Sequence, residues 1–100
     1  MKTKINNVKY QILEVDKVVF NEEDDKLYFG CCSYEKERIE ILSTLSLPKR
    51  KSTLAHELTH AYLFENGHTK DAYTLEDVCD LFGAYAENIV DTVNKCYKER

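Results

Sequence analysis

The chain has 100 residues, 43 % of them hydrophobic and 32 % charged, with one proline and three glycines. That length holds one domain, residues 1–100, with a modest core, and excludes separate catalytic and recognition domains. A formal net charge of −4 argues against a nucleic-acid partner, which needs clustered Lys and Arg, and the absence of a long apolar run or signal peptide argues against a membrane partner and for a cytoplasmic location.

The first part of the chain reads as strands. Val8 to Val15, Val18 to Phe20 and Leu27 to Ser33 are rich in β-branched and aromatic residues, and Glu37 to Leu42 alternates through Arg38-Ile39-Glu40-Ile41. The acidic tract Asn21-Glu22-Glu23-Asp24-Asp25 reads as a solvated turn, since it lacks calcium-loop spacing. Ser46 is placed to cap a helix that has Pro48 in its first turn. Leu54, Ala55, Leu58, Ala61, Tyr62 and Phe64 give that helix an apolar face, and Gly67 stands where it should stop.

Thr74 opens a second helix, with Asp77 in a capping-box position. From Leu75 to Val93 the residues Val78, Cys79, Phe82, Tyr85, Ala86, Ile89 and Val90 recur at helical spacing. Cys31 and Cys32 are adjacent, while Cys79 and Cys96 fall on the apolar stripe, where reduced cysteine packs as a small hydrophobe; there is no Cys-x-x-Cys pair and no disulfide framework is expected. The expected fold is α+β: a small N-terminal antiparallel sheet packed on the first helix, followed by a second long C-terminal helix.

The chemistry concentrates in His56-Glu57-Leu58-Thr59-His60. Two histidines four apart on a helix point their imidazoles from one face at successive turns, so both can hold one metal ion. A carboxylate beside them can take a proton from a water that the ion has acidified. A tetrahedral site needs a third protein donor. The metzincin pattern would place a histidine at 66 and a glycine at 63, but those positions hold Asn66 and Leu63. Glu76 with Asp80 one turn later fits better: a ligand, and an acceptor for a histidine ring N–H. The reading is a zinc-dependent peptidase acting on a protein or peptide substrate, with Glu57 as general base. A hydrogen-bond donor for the developing oxyanion is also required; His68 and Tyr73 are candidates, as are Tyr34 and Tyr85.

His56-Glu57-Leu58-Thr59-His60-Ala61 followed by Glu76-x-x-x-Asp80-x-Phe82 resembles the gluzincin arrangement, and most closely the small ImmA/IrrE-type metallopeptidases of phages and mobile elements. The resemblance runs from about Tyr34 to Val90. It implies a minimal zincin-like fold, His56, His60 and Glu76 as zinc ligands, Glu57 as general base, and Asp80 hydrogen-bonded to a ligating histidine. It also implies that the strand before the active helix, Arg38 to Leu42, forms the rim of the cleft. A weaker resemblance links His60-Ala61-Tyr62-Leu63-Phe64 and Gly67-His68 to the SprT/Spartan group, with His68 as third ligand, although His68 comes only eight residues after His60. Two readings from other classes stand beside these: a non-catalytic zinc-stabilised module binding a host regulator, and a plain α+β interaction domain without metal.

Overall fold

The computed structural model of the protein describes residues 1–18, 28–68 and 72–98. Four strands, β1 (Lys2–Ile5), β2 (Val8–Val15), β3 (Gly30–Ser33) and β4 (Arg38–Leu42), precede two helices, α1 (Leu47–Glu65) and α2 (Leu75–Cys96). Of the strand expectations, β2 and β4 match closely. Val18 is described but not as a strand, and β3 begins at Gly30; the acidic tract and residues 19–27 lie outside the described residues.

β1 is an addition to the sequence reading. Asn6 and Asn7 both adopt left-handed backbone, with φ of 48° and 69°, which is what a two-residue turn joining twisted antiparallel strands requires. Ile5 pairs with Val8 across that turn. The sheet order is β1-β2-β4-β3. β1–β2 and β3–β4 are antiparallel as expected, whereas β2 and β4 run parallel. The sheet is therefore mixed, because the β3–β4 hairpin folds back to place its second strand against β2. The rim of the cleft also differs from the expectation. β4 is paired on both sides and has no free edge to offer, so β3 forms the rim of the sheet on that side.

Alternation along β2 and β4 sends Tyr10, Ile12, Ile39 and Ile41 to one face, where they meet Leu54, Leu58, Ala61 and Tyr62 of α1. Ile5, Tyr10, Ile39, Ile41, Leu54 and Leu58 are the largest fully buried side chains. Each such aliphatic contributes roughly 1.5–3 kcal/mol by leaving water. Packing therefore sets where α1 lies, and polar contacts tie both ends of it to β2. Arg50 reaches Glu14 of β2 at 3.0 Å, and the Tyr10 hydroxyl donates to Glu65 Oε2 at 2.6 Å.

The helix ends follow from local chemistry. Ser46 Oγ accepts from Lys49 N, with Pro48 in the first turn. At the other end Gly67, at φ 91°, lets Gly67 N donate to Phe64 O and His68 N to Leu63 O, the paired bonds of a Schellman stop. α2 starts at the expected capping box: Asp77 N donates to Thr74 Oγ1 and Thr74 N donates to Asp77 Oδ2. It packs on the far side of α1 through Leu81, Ile89 and Val93, with Tyr85 stacked on Tyr62 at 4.7 Å. Among the described residues no helix is long and apolar enough to cross a membrane, and all four cysteines are free.

Candidate metal centre and active site

The third and fourth turns of α1 carry His56, Glu57 and His60. Leu54, Leu58 and Ala61 pin one side of the helix to the sheet, which turns the two histidines outward and leaves Glu57 on the border between the covered stripe and the histidine face. Glu57 is only 8 % exposed, an unusual position for a carboxylate. Within the motif, Thr59 donates its hydroxyl to Ala55 O at 2.8 Å, so it is occupied with its own helix.

His56, Glu57 and His60 can each offer one donor atom within 4.8 Å of the others. The two Nε2 atoms stand 3.2 Å apart. Two nitrogens bound to one zinc at about 2.0–2.1 Å and near the tetrahedral angle would lie about 3.3 Å apart, so the pair already has the bite of a zinc chelate. The electrostatics agree. Burial lowers the proton affinity of His60, helped by the neighbouring His56, and a neutral imidazole is the form that binds metal. Burial raises that of Glu57, with His56 pulling the other way.

β3 completes the cleft. Tyr28, Phe29 and Gly30 face Ser52, Thr53, His56 and Glu57 across a cavity of about 510 Å³. Gly30 is there for closeness: a Cβ on it would lie 2.7 Å from Thr53 Cγ2 and 3.2 Å from Glu57 Cγ. Among the described residues no strand pairs with the outer edge of β3. Among these residues the outer main-chain groups of β3, beside Glu57, have no strand partner.

The remaining sequence candidates separate. Tyr34 follows β3 and stacks on Phe64 of α1 at 4.2 Å; burial foremost, with Cys32, Glu57 and Tyr73 also contributing, pushes its pKa up to about 12, so its hydroxyl keeps its proton. Tyr73 is 38 % exposed. The Tyr85 hydroxyl is engaged with Asn66 at 3.0 Å and Asn6 at 3.3 Å. His68 lies 3.9 Å from Asp77, in a separate cleft of about 280 Å³ that Asp80 also lines.

Glu76 and Asp80 are exposed and do not join the histidine group. The expectation put them on one helix face, and they share one. But α2 turns Leu81, with Val78 and Tyr85 partly covered, toward the molecule, so the acidic face looks outward. Sequence reasoning read the Leu27 to Ser33 segment as a strand but missed that Gly30 and β3 lie against the histidine helix; the only signal was a glycine within a strand-like run, which marks a close backbone approach.

No curated protein and no solved structure gives a significant match to the chain. A family profile does: the peptidase M78 family, described as the IrrE N-terminal-like domain, matches residues 12–93. That span takes in the sheet from the middle of β2 onward, the histidine helix with its His-Glu-His group and nearly all of α2, and the chain belongs to this family.

Proposed function

We propose that the chain is a zinc-dependent peptidase that cleaves peptide bonds by general-base hydrolysis. One observation carries this reading above the others: two imidazole nitrogens 3.2 Å apart beside a carboxylate that is 8 % exposed. A bound zinc would polarise the scissile carbonyl and lower the pKa of water.

The residues divide the remaining work. His56 and His60 would hold the ion. Glu57, made more basic by burial, accepts a proton from the attacking water and returns it to the leaving amine. Tyr34, still protonated at neutral pH, donates to the carbonyl oxygen as negative charge develops there. The free edge of β3 pairs with an extended substrate by main-chain hydrogen bonds. We assign the third metal donor to Glu76, with Asp80 hydrogen-bonding a ligating ring. What supports this is availability: Asp77 is spent on the capping box and His68 lies against Asp77, while no described interaction occupies Glu76. Glu76→Ala should then weaken zinc binding far more than His68→Ala does, and Asp80→Ala should weaken it about 10-fold to 100-fold.

The deciding experiment compares the chain with Glu57→Gln, reading zinc content by metal analysis and new protein N-termini by proteomics. Hydrolysis should fall by about 10²-fold to 10⁴-fold, the usual loss for a general base, with zinc and fold retained. Cleavage at the wild-type rate would remove Glu57 from the mechanism. Zinc in both proteins with cleavage by neither would leave a zinc-stabilised binding module.

A further inference from the structure

α2 carries an apolar seam that the fold covers along only part of its length. Leu75, Cys79, Phe82, Ala86, Ile89 and Val93 follow one another at alternating steps of four and three residues, the spacing that presents one row of side chains to a second helix. Ile89 and Val93 are buried at 7 % and 8 % exposure, whereas Leu75 is 80 % and Phe82 69 % exposed, with Val90 beside the row at 55 %. Cys79 is exposed as well. A single exposed leucine is ordinary. A row of apolar residues along several turns is a surface that a partner covers.

The charge beside the row says which partner. From Leu75 to Asn94 there is no Lys or Arg, and Glu76, Asp80, Glu87 and Asp91 run along one flank of the seam. Glu76/Asp80 and Glu87/Asp91 are like-charge pairs at four-residue spacing, which oppose helix formation. Asp91 also sits toward the end of the helix, where the dipole disfavours an acid. Among the described residues no ion pair involves Glu87 or Asp91. A second copy docked antiparallel on this seam would set acid rows against each other, and an anionic lipid surface would be repelled in the same way.

We propose that the N-terminal half of α2 is a docking surface for a basic amphipathic helix of a partner protein. The partner's apolar row lies along Leu75, Cys79, Phe82 and Ala86, and its Lys or Arg residues meet the acidic flank. The surface shares Glu76 and Asp80 with the metal site proposed above, whereas Phe82, Glu87 and Asp91, on which the test rests, lie outside that site.

The test uses the full chain and a fluorescent synthetic helix with Leu at alternating three- and four-residue steps and Lys at the flanking positions, followed by anisotropy; the control peptide has Glu for every Lys. The Lys peptide binds and the Glu peptide does not. Phe82→Ser weakens binding at least ~10-fold, as loss of a central aromatic anchor does, and Glu87→Lys/Asp91→Lys weakens it and flattens its salt dependence. If Phe82→Ser fails to fold by circular dichroism, the double charge variant decides the outcome. Equal binding of both peptides, or variants that bind as well as wild type, overturns the proposal. Sedimentation that finds a dimer dissolved by Phe82→Ser overturns it in favour of a second copy, and Phe82-dependent binding to phosphatidylserine vesicles does so in favour of a membrane.

Discussion

α1 and α2 are helices of similar length, 19 and 22 residues, that break the usual distribution of polar and apolar groups in opposite directions. α1 is covered by the sheet on one side and by α2 on another, and it holds a carboxylate, Glu57, in that cover. α2 is covered on one side only, and it leaves Leu75 and Phe82 in solvent. Exposed leucines and buried methyls need no special account, but a buried charge and an exposed apolar row do. In α1 the departure changes chemistry, because burial makes Glu57 a stronger base. In α2 it changes association, because an uncovered seam gains by meeting another surface.

The largest expected contrast between the two regions comes from metal. An ion that binds only the folded chain stabilises it by about 2.7 kcal/mol at a concentration 100 times its Kd. Thermal melts with zinc and with a chelator should show that gain in wild type and almost none in His60→Ala, since that change breaks up the preformed imidazole pair. The α2 variant Phe82→Ser should keep the full gain. An equal zinc response in wild type and His60→Ala would mean that the ion binds elsewhere.

A pair of glycines sharpens the same comparison through packing alone. Gly30 lies against α1, and a Cβ there would meet Thr53 Cγ2 at 2.7 Å, the Glu40 carbonyl at 3.2 Å and Glu57 Cγ at 3.2 Å. Gly83 on α2 has nothing within 4 Å of the same position. Gly30→Ala should cost about 1–3 kcal/mol by overpacking and should displace Glu57, so activity falls by more than stability alone explains. Gly83→Ala should add about 0.5–1 kcal/mol by removing glycine from a helix interior. Urea melts of both variants check this; destabilisation by Gly83→Ala would show that the exposed side of α2 is covered in solution.

What could be read from the chain, and what could not, divides by the range of the interactions. The caps of both helices, Ser46, Gly67 and Thr74, are local chemistry and lie where their spacing puts them. The His56, Glu57 and His60 group spans barely more than one turn, so helix periodicity alone assembles it. β1 escaped notice because Lys2-Thr3-Lys4-Ile5 has one strongly apolar residue, although the Asn6-Asn7 pair marked its turn. The insertion of β4 between β2 and β3 depends on pairing between distant segments, and with it the arrival of Gly30 beside Glu57 and of Tyr34 against Phe64. Periodicity also placed Glu76 and Asp80 on one face of α2 but could not say which way that face turns. Contacts of Leu81, Ile89 and Val93 decide that.

The smallest expected effect tests whether the start of α2 holds itself in place without the core. Asp77 has its pKa lowered, first by the backbone hydrogen bond from Thr74, then by the bond with the Thr74 side chain, with His68 adding slightly. A carboxyl whose folded pKa lies below its unfolded value contributes stability above the unfolded pKa, about 3.9 for Asp, and that contribution is lost as pH falls through the folded pKa. Thr74→Ala removes the hydroxyl that accepts from Asp77 N. It should therefore cost about 0.5–1 kcal/mol at neutral pH, the low end for an exposed cap, and it should raise the Asp77 pKa toward the ordinary range. The difference between wild type and variant should shrink on acidification through that window, because protonated Asp77 no longer holds the Thr74 N–H strongly in either protein. Carboxyl titration by NMR with melts across the acid range measures both. A Thr74→Ala cost that stays constant to the lowest pH would mean that the capping box acts through the Thr74 hydroxyl alone and that Asp77 is a spectator at the head of α2.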